Sequence, residues 1–257
     1  MHDMTSRTRF FVATHKPWPL PTNPPYTAIA LGGYRPEGEV DALSDAGGDN
    51  IADLNPHYSE LTGWYWIWKN VQHVDRVGLC HYRRYFYFHT QSPSFHLDKV
   101  GMEPTLENMA GLFALDPLPL VARHCRKNGV IVPRPAVFPE PISSHYAKYH
   151  RRRDWEVFLH AIAETSPVHA RQMYLFDTER RMYLYNMMVA PWAFFDEYMS
   201  TLMAVLEQVE PQISYPDDPY QMRIPAFLAE RLFTLHLLTV KPELWEIPIV
   251  LTDMKAN

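Results

Sequence analysis

Arg76-Val77-Gly78-Leu79-Cys80-His81-Tyr82-Arg83-Arg84-Tyr85 decides how this chain is read. Its first half is a short apolar run of the kind that forms a buried strand. Its second half sets an imidazole and a pair of guanidiniums directly after that strand. Open α/β sheets bind ligands in the crevice outside the carboxyl ends of their strands. Guanidinium forks match phosphate and carboxylate oxygens in a bidentate way that an ammonium does not. The stretch therefore points to an anionic ligand, foremost a diphosphate. The competing reading is a solvated strand end whose arginines make surface ion pairs.

Upstream, Glu60-Leu61-Thr62-Gly63-Trp64-Tyr65-Trp66-Ile67-Trp68-Lys69-Asn70 reads as a helix. It starts at Asn55-Pro56, an N-cap followed by proline at the first helical position. Leu61, Trp64, Tyr65 and Trp68 fall at i, i+3, i+4 and i+7 and form a core stripe. Thr62 and Lys69 share another face, and Lys69 also complements the dipole at the helix end. Further strands are predicted at Arg9 to Thr14, Thr27 to Leu31, Gly129 to Pro133 and Arg181 to Ala190. Glu246 to Leu251 reads as an edge strand because of its proline. Helices are predicted over Asp154 to Glu164, Phe194 to Val209 and Pro225 to Leu238, and in part over Asp98 to Lys127, broken around Pro117 and Pro119. Residues Arg35 to Gly48 read as a loop. Strands interleaved with helices make an α/β sandwich.

Composition narrows the classes. The 257 residues suit one large domain, 1–257, and 47% apolar content supplies a full core. Net charge is −5, from 24 Lys and Arg against 29 Asp and Glu, which gives no support to a nucleic-acid binder. Cys80 and Cys125 have no metal-type spacing and argue for a reducing compartment. Met1 to Arg9 has no apolar signal core, and no apolar run reaches the ~20 residues of a membrane helix. The expectation is a cytoplasmic protein, with peripheral contact at the inner face of the membrane left open. Proline clusters at Pro17 to Pro25 and Pro133 to Pro141 suit ordered extended loops.

If the central strands are parallel, Thr14-His15-Lys16 and His81-Tyr82-Arg83-Arg84 converge on one sheet edge although far apart in sequence. Lys69 joins this basic set. Among the acids, Asp49-Asn50 follows Gly47-Gly48, so its backbone can approach a ligand; an ordinary Asx turn is the alternative. Glu60 complements the dipole of its helix. Asp217-Asp218 faces solvent between prolines. Glu230, on a helix with Arg231, is the candidate base for a sugar hydroxyl, or else a partner in a helical ion pair. There is no G-x-x-x-x-G-K-[ST], no G-x-G-x-x-G, no G-x-S-x-G and no H-E-x-x-H.

The runs Asp49-Asn50-Ile51, Asn55-Pro56, Glu60-Leu61-Thr62, Tyr65 to Asn70 and Gly78 to Phe86 resemble domain-of-unknown-function family 4422. Val12 to Lys16, Tyr185 to Met188 and Ala229 to Leu232 resemble it too; Ser59 and Gly63 depart from its usual residues. The family occurs in capsular and exopolysaccharide gene sets and is glycosyltransferase-like. The resemblance implies a GT-A-like, nucleotide-binding α/β/α sandwich with a mixed, mostly parallel sheet. It implies transfer of a sugar from a nucleoside-diphosphate donor to a glycan or lipid-linked acceptor in capsule, exopolysaccharide or O-antigen synthesis. Thr14, His15, Lys16, Asn50, Lys69, His81, Tyr82, Arg83 and Arg84 would hold the donor, and Tyr185 and Asn186 the acceptor. Glu230 or Asp49 would be the base. Where such folds carry an Asp-x-Asp for a divalent metal, His81-Tyr82-Arg83-Arg84 stands instead, so no cofactor is expected, with manganese or magnesium left open. A catalytically silent glycan- or nucleotide-sugar-binding module is the second reading. A phosphate-ester hydrolase, lacking an evident nucleophile, is the third.

Overall fold

The computed structural model describes residues 7–21, 23–36, 41–126 and 128–253. The segment before Arg7, residues 37–40 of the expected loop and Lys127 at the end of the expected helical stretch lie outside them. The chain opens with β1 (Thr8–Thr14), β2 (Tyr26–Ala30) and β3 (Ala42–Ser44), side by side and parallel. Helices α1 (Asn55–Tyr58) and α2 (Leu61–Asn70) cross over to β4 (Arg76–His81), which pairs in parallel with the other side of β1. A tight reversal at Tyr82-Arg83 starts β5 (Arg84–Phe86). Then come β6 (Lys99–Gly101), α3 (Leu106–Phe113), α4 (Leu118–His124), β7 (Gly129–Pro133) and β8 (Ala136–Val137). The second half holds α5 (Ile142–Tyr149), α6 (Arg152–Thr165), α7 (Pro167–Ala170), β9 (Arg181–Met182) and β10 (Met188–Pro191). It ends with α8 (Trp192–Val209), α9 (Ile224–Val240), β11 (Glu243–Ile247) and β12 (Ile249–Leu251).

The main sheet runs β11-β7-β10-β4-β1-β2-β3, with β10 antiparallel to both neighbours and the other pairs parallel. Side chains alternate between its faces. Phe11, Ala13, Val77 and Leu79 enter one core with α2, α6, α8 and α9; Phe10, Val12 and Cys80 enter a second core with β5, β12, α3 and α4. Both faces are therefore covered, which is why these strands read as continuous apolar runs. The Cys80 and Cys125 thiols are buried, and burial pushes each up to about 12.

Five local expectations change. The helix expected to run from Asn55 breaks at Ser59, whose φ of 51° is left-handed. Asn55 is not its cap: its side-chain amide donates to the Ser59 carbonyl (2.8 Å) and the Thr62 hydroxyl (3.1 Å) and so fastens the break. The buried stripe of α2 is Leu61, Trp64 and Ile67, while Tyr65 and Trp68 are only half-buried. The expected strand 181–190 splits into β9 and β10, because Tyr185 and Asn186 are both left-handed, with φ of 74° and 49°. The expected edge strand splits at Pro248, and β12 leaves β11 to pair with β5 and β6. Finally, the expected loop before Gly48 contains β3, followed by a fully buried Asp45. That carboxylate accepts from the Gly32 N–H (3.0 Å) and the Thr62 hydroxyl (2.6 Å), tying the end of β2 to α2.

Two consequences are measurable. A methyl at Gly78 in β4 would collide with the Phe10 ring on β1. Gly78→Ala is expected to lower stability by about 1–3 kcal/mol, the usual range for overpacking, in urea unfolding. A buried relay joins Ser166 to His169 (2.7 Å) and His169 to His236 on α9 (3.0 Å), under the Phe194 and Tyr198 rings. Burial, and then His169, push His236 down to about 3. A histidine depressed on folding gives stability that is complete above its ordinary value near 6.5 and lost as pH falls toward the folded value. Between pH 7 and 4.5 this one group is expected to remove on the order of 2–3 kcal/mol, and His236→Phe should remove that part of the pH slope.

Candidate active site

The parallel strands β1, β2 and β4 deliver their carboxyl ends to one edge. Ala13 lies opposite His81, so the segments after β1 and β4 are neighbours. The His15 and Tyr82 rings meet edge to face at 5.1 Å, and the Arg83 guanidinium lies 5.0 Å from the Tyr82 ring centre. A polar cavity of about 310 Å³ opens there, lined by His15, Asn55, Ser59, Glu60, His81, Tyr82, Arg83, Arg84 and Arg223 with a few apolar neighbours. A second cavity of about 450 Å³ shares Glu60, His81, Arg84 and Arg223 with it. Its remaining wall is mostly aromatic and polar, with Phe138, His145, Tyr149, His150, Tyr185, Tyr220, Phe227, Glu230 and Arg231 beside Met182, Leu184 and Gln221. The two spaces are chambers of one cleft, and the shared residues are the partition.

The cationic charge of the polar chamber is carried by arginine. Burial, first of all, pushes His81 down to about 4, and it lowers His15 as well, reinforced by Lys16, Arg83 and Arg223. Both imidazoles are thus neutral at pH 7, and His81 Nε2 lies 2.6 Å from the Tyr185 carbonyl oxygen. Arg83 pairs with Asp253 at 2.8 Å, yet still lines the chamber. Its Nε is buried without a partner among the described residues. The Arg84 side chain makes neither a hydrogen bond nor an ion pair with a described residue; its guanidinium sits 4.8 Å from the Tyr185 ring centre, facing both chambers. Arg223 donates to the Ser59 hydroxyl at 2.7 Å and approaches Glu60 to 3.9 Å.

The left-handed Tyr185–Asn186 turn puts Tyr185 in the wall of the aromatic chamber, while Asn186 is buried. Non-glycine residues in this region carry a conformational cost that their surroundings must offset. Glu230 Oε1 accepts from the Tyr185 N–H at 2.6 Å, and Asn186 Nδ2 donates to Glu60 Oε1 at 2.7 Å. Glu230 also meets Arg231 at 3.4 Å, and burial raises its carboxyl above the usual range. Asn186 Oδ1 and Arg231 Nε are buried with no partner among the described residues.

Of the residues named from sequence, His15, His81, Tyr82, Arg83, Arg84, Tyr185, Asn186 and Glu230 come together around this cleft. Five do not. Thr14 is fully buried and its hydroxyl donates to the Lys16 carbonyl, so it shapes the turn after β1. Lys16 lies outside the chamber lining, its ammonium 5.6 Å from the Tyr82 ring centre. Lys69 rests 3.5 Å from the centre of the Trp68 ring, in a groove between α2 and α8. It is the wrong end of α2: nine residues of helix carry it about 14 Å from Glu60. Asp49 accepts from the Tyr65 hydroxyl (2.9 Å), and Asn50 closes an Asx turn with Gly48 and Ala52, at that same far end. Conversely, Glu60 and Arg223 were not read as site residues. An acid opening a helix that starts beside the carboxyl edge of a sheet was the available signal for Glu60. Arg223, alone before Ile224-Pro225, gave none.

The residues described around the end of β4 do not make a donor set suited to a divalent metal. At the end of β4 stand a neutral imidazole, a phenol and guanidiniums, and the carboxylate of the polar chamber is Glu60 alone among the described residues. No group of three or more His, Cys, Asp or Glu among the described residues is arranged to hold a metal ion. No helix among them is long and apolar enough to cross a membrane.

Comparison with known proteins accords with this architecture. The apo structure of the WbbM bifunctional glycosyltransferase superposes with a TM-score of 0.85 at 23% identity, over 96% of this chain and 45% of that one. The chain thus spans under half of that structure, and the likeness establishes the fold: GT-A-like, mixed α/β, with a mostly parallel central sheet. No curated protein matches. The family described as Domain of unknown function (DUF4422) matches residues 9–241, and the chain belongs to that family.

Proposed function

We propose that this protein is a glycosyltransferase that moves a sugar from a nucleoside-diphosphate donor to a hydroxyl of a glycan or lipid-linked acceptor, without a metal. The setting suggested by the family resemblance is surface-polysaccharide assembly. The observation that carries the reading is Arg84: a guanidinium free of ion pairs with described residues, on the partition between two connected chambers. Arg83 and Arg223 stand in the same polar chamber. The donor diphosphate lies against these arginines, at the carboxyl edge of β1 and β4, where a doubly covered sheet binds its ligand. Cations aimed at the departing diphosphate stabilise the charge that develops as the glycosidic bond breaks, the service a metal supplies elsewhere. The acceptor enters the aromatic chamber, whose Tyr149, Tyr220 and Phe227 offer flat apolar faces to a sugar ring.

Thermal unfolding with UDP, GDP, CDP and dTDP in the presence of chelator tests this. At a hundredfold excess over Kd, the matching nucleotide is expected to add ~2.7 kcal/mol, or about 5–10 °C for a chain of this size. Arg84→Ala is expected to cost about 1.5–3 kcal/mol of binding, tenfold or more in Kd, as for loss of a charge-assisted hydrogen bond. A shift that requires added manganese or magnesium would sink the metal-free clamp, and no shift with any nucleotide would sink the donor reading.

A further inference from the structure

The cleft contains two carboxylates, Glu60 and Glu230, and their engagements differ. Glu230 lines the aromatic chamber only. One of its oxygens is spent on the Tyr185 N–H at 2.6 Å and the other faces Arg231 at 3.4 Å. It braces the left-handed turn. Glu60 lines both chambers, with its side chain 11% exposed. Its Oε1 is oriented by Asn186 Nδ2 at 2.7 Å, while Oε2 has no hydrogen bond to a described residue and only Arg223 at 3.9 Å. Its backbone position is fixed by the break at Ser59, which starts α2 at the sheet edge instead of one turn earlier. Arg84 and His81 share the partition with it.

We propose that Glu60 is the catalytic base and that transfer proceeds with inversion. This deepens the transferase reading and rests on it. The acceptor hydroxyl in the aromatic chamber gives its proton to Glu60 Oε2 as its oxygen bonds to the anomeric carbon of the donor. The bond from that carbon to the phosphoryl oxygen breaks on the opposite side, and its electron pair leaves with the nucleoside diphosphate, whose added charge meets Arg84, Arg83 and Arg223. A carboxylate on the partition is the group that reaches an acceptor on one side while a donor occupies the other. Asn186 is then a positioning residue, since it touches Glu60 and turns the free oxygen toward the junction.

The test uses Glu60→Gln, in which the amide oxygen still accepts from Asn186, so that the turn and fold persist. UDP-glucose, UDP-galactose, GDP-mannose and dTDP-rhamnose are offered with octyl glycosides as acceptors, and nucleoside-diphosphate Kd is measured on the same preparations. For a pair that the unaltered protein turns over, Glu60→Gln is expected to lower kcat about 10²–10⁴-fold, the range for loss of a general base, with Kd changed by less than about threefold. The product is expected to have the anomeric configuration opposite to the donor. Turnover above about a tenth of the original in Glu60→Gln, or retained configuration, overturns the assignment of Glu60 while leaving the donor reading intact. Nucleoside-diphosphate binding without any turnover makes the protein a binding module and overturns it as well. Absence of both binding and turnover removes the donor reading, and the assignment falls with it.

Discussion

The parallel pairing of β1 with β4, in the register that sets Ala13 beside His81, is the constraint on which the cleft depends. It brings His15 against Tyr82 and puts the arginine turn at the sheet edge. Register in a doubly covered sheet is strongly specified, because a slip of one residue exchanges the two faces. Here that exchange would send Phe11 and Leu79 into the space of Phe10 and Cys80. Gly78 makes the register sterically legible as well, since the Phe10 ring occupies the volume where a Cβ would stand. A local close contact in the core thus sets the position of charges several residues further along.

The second layer of organisation is a chain of polar contacts across three elements. Arg231 and Glu230 on α9, the Tyr185–Asn186 turn and Glu60 at the start of α2 form one continuous path. Each link satisfies a group that burial would otherwise leave costly. The arrangement explains why left-handed backbone is tolerated at a tyrosine and an asparagine. It also ties the wall of the aromatic chamber to the carboxylate on the partition, so that the two chambers are not independent.

Much of the central sheet was legible because its strands are buried on both sides and bounded by turn residues. β1, β2, β4 and β7, together with α8 and α9, lie within a few residues of where hydrophobic patterning puts them. What escaped had a common cause. Left-handed residues usually announce themselves as glycine, and here Ser59, Tyr185 and Asn186 take that conformation with help from distant side chains. The break in the Asn55 helix and the split at residues 185–186 were therefore invisible. For the site, residues contiguous with the strand ends could be read from topology. Glu60 and Arg223 owe their places to tertiary packing, and Lys69 and Asp49 were misplaced because a helix carries its two ends to different surroundings.

The pairing of Arg83 with Asp253 has an energetic implication for any anion that arrives. Asp253 engages only Nη1 of Arg83, but its negative charge offsets part of the attraction that this guanidinium would hold for an arriving anion. Arg84 has no such incumbent among the described residues, and its full attraction is available to the newcomer. Two adjacent guanidiniums of the same chemical kind are thus unequal in worth, and the unclaimed one offers the larger share of attraction.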